Sequence, residues 1–342
     1  MFDVMHIHKN YYSFKEETIK GRYVTFDMIH QLLKKNESKE IGTSELNVPI
    51  HSIIKGEGQK KIFIWSQMHG NESTGTKAMF DVLNFLENSD STIVKDIKKY
   101  CTIHCIPMLN PDGAKLYTRE NAKKVDLNRD AVVLKAKESN ILRDHLDSFQ
   151  PQFCFNLHDQ RTIFGVEGTK NSAVLSFLAP STNEDRSITT GRKETMNVIA
   201  AINDELQQLI PNQIGRYTDE FYPTATGDNF QKLGHNTILI ESGHYPDDYE
   251  REETRKFTFL SILKGLHHIA TQDSFLDTGS YFEIPNNIKN HYDVIHRHQN
   301  KSDKAFQYKE LIQHGKFTLT LEKISNSQLK NKIGHKEIVF VD

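Results

Sequence analysis

The sequence predicts an α/β fold, a mixed and mainly parallel sheet with helices on both faces. Short runs of apolar, β-branched and aromatic residues recur at 62–65, 101–109, 153–157 and 237–240, each about as long as a buried strand. Stretches with apolar residues at helical spacing separate these runs, and such alternation builds a parallel sheet. The residues suited to chemistry, His69, Asn110, His158 and Glu241, stand at the ends of the runs, where open α/β sheets place their ligands.

The elements follow in order. The first forty residues are polar and partly helical, with Phe26, Ile29, Leu32 and Leu33 at helical spacing over 26–35. Ile41-Gly42-Thr43-Ser44 breaks that pattern, 48–54 reads as a strand, and Gly56-Glu57-Gly58-Gln59 turns the chain into the 62–65 strand. Met79, Val82, Leu83 and Leu86 form one helix face, which 88–90 ends. The run 101–109 reads as a strand buried on both faces, stopped by the turn composition Asn110-Pro111-Asp112-Gly113. The segment 115–130 has weak periodicity but gathers Arg119, Asn121, Asp126, Asn128, Arg129 and Asp130. A helix over 134–149 precedes the 153–157 strand, and 165–192 reads as a long irregular connection. A helix over 196–209, closed by Pro211, and a loop over 215–230 lead into the 237–240 strand, and Phe259, Ile262, Leu263, Leu266 and Ile269 mark a further helix. Beyond 275 the character changes: Pro285-Asn286-Asn287 makes a break, a polar helical stretch is expected over 301–314, and 317–321 and 337–341 alternate like strands.

Composition narrows the field. A formal net charge of -2 with both signs mixed throughout gives no reason to expect a nucleic-acid partner. No run approaches the roughly 18 apolar residues of a membrane span, and residues 1–10 lack the apolar region of a signal peptide, so a cytoplasmic location is expected. Cys101, Cys105 and Cys154 all fall in apolar runs, as free core thiols in a reducing compartment do, and no Cys-x-x-Cys pair offers a cysteine metal site.

The chemistry can be read from residue type. His69 and Glu72, three residues apart just past a strand, can turn toward one point; His158, ending the 153–157 strand, supplies the third donor. Two neutral imidazoles and a carboxylate suit one Zn²⁺ ion and leave positions open for water and a substrate carbonyl. Glu241, a second carboxylate free of metal, is the expected general base, and Arg119 the cation for an oxyanion. Asn128 and Arg129 put an amide beside a planar guanidinium, a pair suited to a substrate carboxylate. Asp126 is placed to orient a ligand histidine.

Over residues 41–245 these motifs resemble the zinc carboxypeptidases of the carboxypeptidase A type. The shared features are Gly42-Thr43-Ser44, His69-x-x-Glu72, Asn110-Pro111-Asp112-Gly113, Thr118-Arg119, Asp126-Leu127-Asn128-Arg129, His158 and Glu241. The resemblance implies a mixed sheet of about eight strands and a zinc-dependent metallocarboxypeptidase that hydrolyses the C-terminal amide bond of a peptide. It further implies that Arg129 and Asn128 grip the peptide carboxylate, that Asp126 partners the first zinc histidine, and that Tyr222 is the mobile active-site tyrosine. Side-chain specificity should fall near Thr226-Gly227-Asp228. The succinylglutamate desuccinylase and aspartoacylase group is similar in its His-Gly-Asn-Glu and Asp-Leu-Asn-Arg motifs, so a deacylase of N-acyl amino acids is the alternative. Asn110-Pro111-Asp112-Gly113 with Thr118-Arg119 leans toward the peptidase. A non-catalytic binding protein on the same fold is the remaining alternative. The expected division is a catalytic domain over 1–274, with its N-terminal helical segment 1–40, and a small β-containing extension over 275–342.

Overall fold

The computed structural model describes residues 2–325 and 328–341; Met1 and Asp342, the outer limits of the two expected units, lie outside the described residues. An eight-stranded sheet runs in the order β1 (Lys39–Thr43), β2 (Pro49–Lys55), β4 (Cys101–Ile106), β3 (Lys60–Trp65), β5 (Phe153–Asp159), β9 (Asn236–Ser242), β7 (Leu175–Leu178) and β8 (Ile214–Arg216). The central strands β4, β3, β5 and β9 are parallel, while β2 joins β4 and β7 joins β9 in antiparallel pairs. This is the mixed, mainly parallel sheet that the alternation predicted.

Residue alternation along the strands divides the core in two. In β3, Ile62 and Ile64 enter one cluster, whereas Phe63 and Trp65 enter the other, the two-residue period of a strand buried on both faces. The first cluster is completed by α1 (Val4–Lys9), α2 (Phe26–Lys35), α3 (Thr74–Asn88), α4 (Thr92–Tyr100), α7 (Thr190–Leu206) and α9 (Glu252–Thr271), and the second by α6 (Lys137–Phe149) and α8 (Thr226–Lys232). The short α5 (Pro111–Leu116) follows β4. Cys101, Cys105 and Cys154 are free and buried within β4 and β5.

Several expectations are corrected. Asn110-Pro111-Asp112-Gly113 is a helix start rather than a free turn: Asn110 Oδ1 accepts from Gly113 N at 2.8 Å and Pro111 opens α5. The helix expected from 134 begins at Lys137, because Leu134 is left-handed at φ 54°. The connection 165–192 is less irregular than expected: it contains β7 and the two-residue β6 (Gly165–Val166), which pairs with β10 (Asn287–Ile288). Residues 301–314, expected to be helical, form β12 (Lys304–Gln313) in a second sheet of order β13 (Lys316–Ile324), β12, β11 (His291–His298), β14 (Ile333–Phe340). A two-residue turn decides this. His314 and Gly315 take φ 51° and 73° between the paired Gln313 and Lys316, and that turn matches the twist of a hairpin.

The second sheet has a small core of Ile295, Ala305 and Leu329, whereas Phe275, Tyr281 and Ile284 pack within the main core. Among the described residues no helix is long and apolar enough to cross a membrane.

Candidate metal centre

The loop leaving β3 is bent by its own backbone. Gln67 sits in the left-handed region at φ 51°. Its side chain compensates: Nε2 donates to Gly70 O at 2.9 Å and Val24 O at 2.8 Å, while Oε1 accepts from Thr76 Oγ1 at 2.9 Å. Gly70 must be glycine, because a Cβ there would stand 1.9 Å from the carbonyl carbon of Gly113. The loop is thus pressed onto α5. Its far end is fixed where Thr74, opening α3, donates through N and Oγ1 to Asp159 Oδ2 at 3.2 and 2.8 Å. His69 and Glu72 lie between these anchors. The ladder supplies the other side: β5 and β9 pair His158 with Glu241 and Asp159 with Ser242.

Three donors converge. Glu72 Oε2 lies 2.9 Å from both His69 Nδ1 and His158 Nδ1, and the two nitrogens are 3.2 Å apart. A tetrahedral ion with bonds of about 2.0–2.1 Å holds its donors roughly 3.3 Å apart, so these lone pairs are close to ligand spacing. All three residues are buried, and His158 Nε2 has no hydrogen-bond partner among the described residues. A zinc ion fits this donor set. His69 turns its other nitrogen to Asp126, with Nε2 3.2 Å from Oδ1, the outer carboxylate contact that orients a metal-binding imidazole.

The electrostatics follow from burial and pairing. Burial alone would raise the Glu72 carboxyl, but the facing imidazoles hold it well below its ordinary range. Burial lowers His158, while in His69 the Glu72 and Asp126 carboxylates outweigh burial and raise it. Asp126 is held low against burial by His69 and Arg119. Glu241 is displaced the other way: burial, then the charges of Glu72 and Asp159, push its carboxyl well above the usual range. The two glutamates have opposite environments, one that favours the ionised carboxylate and one that favours the protonated form.

The remaining predicted residues fall in two places. Arg119 donates through Nε to Asp126 Oδ2 at 2.9 Å, and its Nη1 lies 3.2 Å from His69 Nδ1 and 3.7 Å from Glu72 Oε1. It belongs with the cluster. Asn128, Arg129 and Tyr222 form a separate group against α8. Asn128 Oδ1 accepts from Thr226 N at 3.0 Å, and the Arg129 guanidinium lies 5.8 Å from the Tyr222 ring centre. Tyr222 is 48% exposed and donates to Glu220 Oε2 at 2.6 Å. Asp228, in α8, accepts from Tyr222 N at 3.2 Å, and burial pushes its carboxyl up to about 6.

Three neighbours of the centre went unread in the sequence. Asp159 follows the predicted ligand directly and was legible by adjacency. Arg251 donates through Nη1 to Ser242 O at 2.9 Å and approaches Asp159 Oδ2 at 3.4 Å. Tyr217 has its hydroxyl pKa raised by burial, then by Glu241 and Glu72. Both lie in segments with no periodicity.

The His-Glu-His cluster stands beyond the carboxyl ends of parallel strands in a mixed sheet, where open α/β sheets bind ligands. The chain belongs to the zinc carboxypeptidase family, whose model matches residues 21–207, more than half its length. That match takes in His69, Glu72, Arg119, Asp126, Asn128, Arg129 and His158, while Tyr222 and Glu241 lie beyond it. Carboxypeptidase 2 of Trichophyton rubrum is 27% identical over 110 residues, covering 32% of this chain and 20% of that one. Carboxypeptidase D of Mus musculus is 29% identical over 122 residues, covering 32% and 9%. The chain thus spans about a fifth or less of these curated relatives' own lengths. Among solved structures, carboxypeptidase A from Helicoverpa armigera superposes with a TM-score of 0.57 at 14% identity, over 73% of this chain and 74% of that one. A metallo-carboxypeptidase from Burkholderia cenocepacia gives 0.55 at 16% identity over 71% and 68%. These two neighbours share the fold.

Proposed function

We propose that the chain is a zinc-dependent metallocarboxypeptidase that hydrolyses the C-terminal amide bond of a peptide. The observation that carries this reading is the convergence of His69, Glu72 and His158 with Glu241 registered beside His158. One zinc ion, held by those three donors, would polarise the scissile carbonyl and lower the pKa of its water toward ~7. Glu241 takes the proton of the attacking water and passes it to the leaving amine. Arg119 adds positive charge where the oxyanion develops. Arg129, with Asn128 beside it, holds the peptide carboxylate, and Tyr222, against Arg129, covers it. Asp126 keeps His69 in the tautomer that turns Nδ1 to the metal. The expected catalytic unit of 1–274 is completed by Phe275, Tyr281 and Ile284, which pack within its core, and the second sheet that follows is the appended extension. The free buried cysteines support a cytoplasmic setting.

The test is turnover by the zinc-loaded protein on a panel of short peptides and N-acyl amino acids, with product masses read. Loss of one C-terminal residue supports the peptidase. Release of an acyl group with peptides untouched transfers the protein to the deacylase reading, and no turnover of either class favours a binding protein.

Two further outcomes are expected. Arg129→Ala should raise KM for substrates with a free carboxylate, losing about 1.5–3 kcal/mol of binding, and should leave amidated analogues almost unchanged; parallel kinetics on both series check this, and equal losses would remove Arg129 as the clamp. Zinc should raise the melting temperature, since an ion at about a thousandfold excess over its Kd adds about 4 kcal/mol to the native state. Differential scanning fluorimetry with and without a chelator reads that shift, which His158→Ala should abolish.

A further inference from the structure

The second sheet reaches the metal loop through Glu310 and the residues it pairs with. Glu310, on β12, is 9% exposed and ion-pairs with both Arg22 and Arg161, while Tyr117 donates its hydroxyl to Glu310 Oε2 at 2.9 Å. Arg161 spans the gap, because its Nη1 donates to the carbonyl of Asn71 at 2.7 Å, and Asn71 is the residue before Glu72. Arg22 is attached to the same loop through its own carbonyl, which accepts from Ser73 Oγ at 2.8 Å. Aromatic rings fill the space around the charges: Phe317 of β13 lies 5.4 Å from the Arg22 guanidinium and 5.7 Å from the Tyr117 ring.

A carboxylate this deeply buried is retained only if paired, and Glu310 has three donors. The contact is therefore a fixed wall and not a loose strap. It stands against Asn71 and Tyr117, whereas Asn128, Arg129 and Tyr222 stand against α8. A peptide whose carboxylate is held at Arg129 and whose scissile bond lies at the His69, Glu72 and His158 cluster must continue away from Arg129. Asn71 adjoins the donor Glu72, and its carbonyl is already taken by Arg161.

We propose that Glu310 and Arg161 close the amino side of the substrate cleft, so that the C-terminal sheet restricts the protein to substrates with only one or two residues before the scissile bond. This rests on the carboxypeptidase reading and deepens it by naming the substrate class, short peptides.

The experiment measures binding, so it does not depend on turnover. Peptides sharing one C-terminal residue and carrying one to six residues before it are titrated calorimetrically into the zinc-loaded Glu241→Gln protein and into the same protein with Glu310→Ala. In the first, extension from two to four residues should weaken binding about tenfold; with Glu310→Ala that penalty should shrink below about threefold. If Glu310→Ala lowers the melting temperature markedly, Arg161→Ala, which leaves Glu310 with Arg22 and Tyr117, decides in its place. Affinity independent of length in the parent, or a penalty that neither variant relieves, overturns the proposal. C-terminally amidated copies separate the two readings. A length penalty that responds to Glu310 but ignores amidation would leave the wall standing and remove the carboxylate clamp. Strict need for the carboxylate without a length effect would do the reverse, and no binding at any length would remove both.

Discussion

Glu241→Gln should bind zinc with unchanged stoichiometry and lose on the order of 10²–10⁴-fold in kcat, the usual contribution of a positioned general base. The substitution keeps the size of the side chain and removes its capacity to take a proton. The three donors are untouched, so metal analysis and the zinc-induced rise in melting temperature should match the parent. The pH profile adds a second reading. Burial, Glu72 and Asp159 raise the Glu241 carboxyl, while Arg119 and Arg251 pull it down. Because the base must be ionised, kcat/KM should rise with pH through the pKa of Glu241 and fall as acid protonates it. In Glu241→Gln that acid limb should disappear from whatever activity remains. A variant with parental turnover would assign the base elsewhere.

The sequence and the structure agree most closely where hydrophobic periodicity and chemistry coincide. The apolar run of a central strand leads into a polar residue, so the strand and its candidate site residue lie together: Trp65 before the His69 loop, Leu157 before His158, Ile240 before Glu241. Residue type also foretold the approach of Asp126 to His69, across 57 positions of sequence. What stayed hidden depends on contacts between segments that carry no period. Arg251 and Tyr217 reach the centre from loops, and β7 is a four-residue strand whose partners are set by the sheet. The expected helix at 301–314 failed for a related reason: its polar residues satisfy a helical or a strand pattern equally well, and the His314-Gly315 turn settles the choice through pairing with β13. Glu310 shows the same limit on a functional scale. Nothing in its local sequence distinguishes it from an exposed strand glutamate until Arg22, Arg161 and Tyr117 are brought around it.

Asp81→Ala should cost about 3–5 kcal/mol of stability, the usual loss when one partner of a buried ion pair is removed. Asp81 lies on α3 and Arg255 on α9, and both side chains are fully buried. The guanidinium grips the carboxylate with two parallel bonds, Nε to Oδ2 at 2.7 Å and Nη2 to Oδ1 at 2.6 Å. The same carboxylate accepts from Tyr11 OH and from Glu16 N, each at 2.7 Å, and Arg255 also donates to the carbonyls of Glu16 and Ile19 at 2.8 and 2.9 Å. One pair therefore ties the N-terminal segment to two of the helices that cover the first core. Truncation leaves the buried guanidinium with only the partly exposed Glu252, 3.2 Å from Nη1, as counter-charge and strands two donors, and the loss is large beside the roughly 5–15 kcal/mol by which domains are stable. Urea unfolding should show a lower midpoint. Asp81→Asn should fall between, since it keeps hydrogen-bonding capacity but no charge. Asp81→Leu combined with Arg255→Met should recover much of the loss by removing the unpaired charge. A double variant no more stable than Asp81→Ala would mean that the backbone bonds to the N-terminal segment, and not the stranded guanidinium, dominate the cost. Because α3 begins directly after the His69 to Ser73 loop, loosening it should also weaken zinc retention on warming, in proportion to the stability lost.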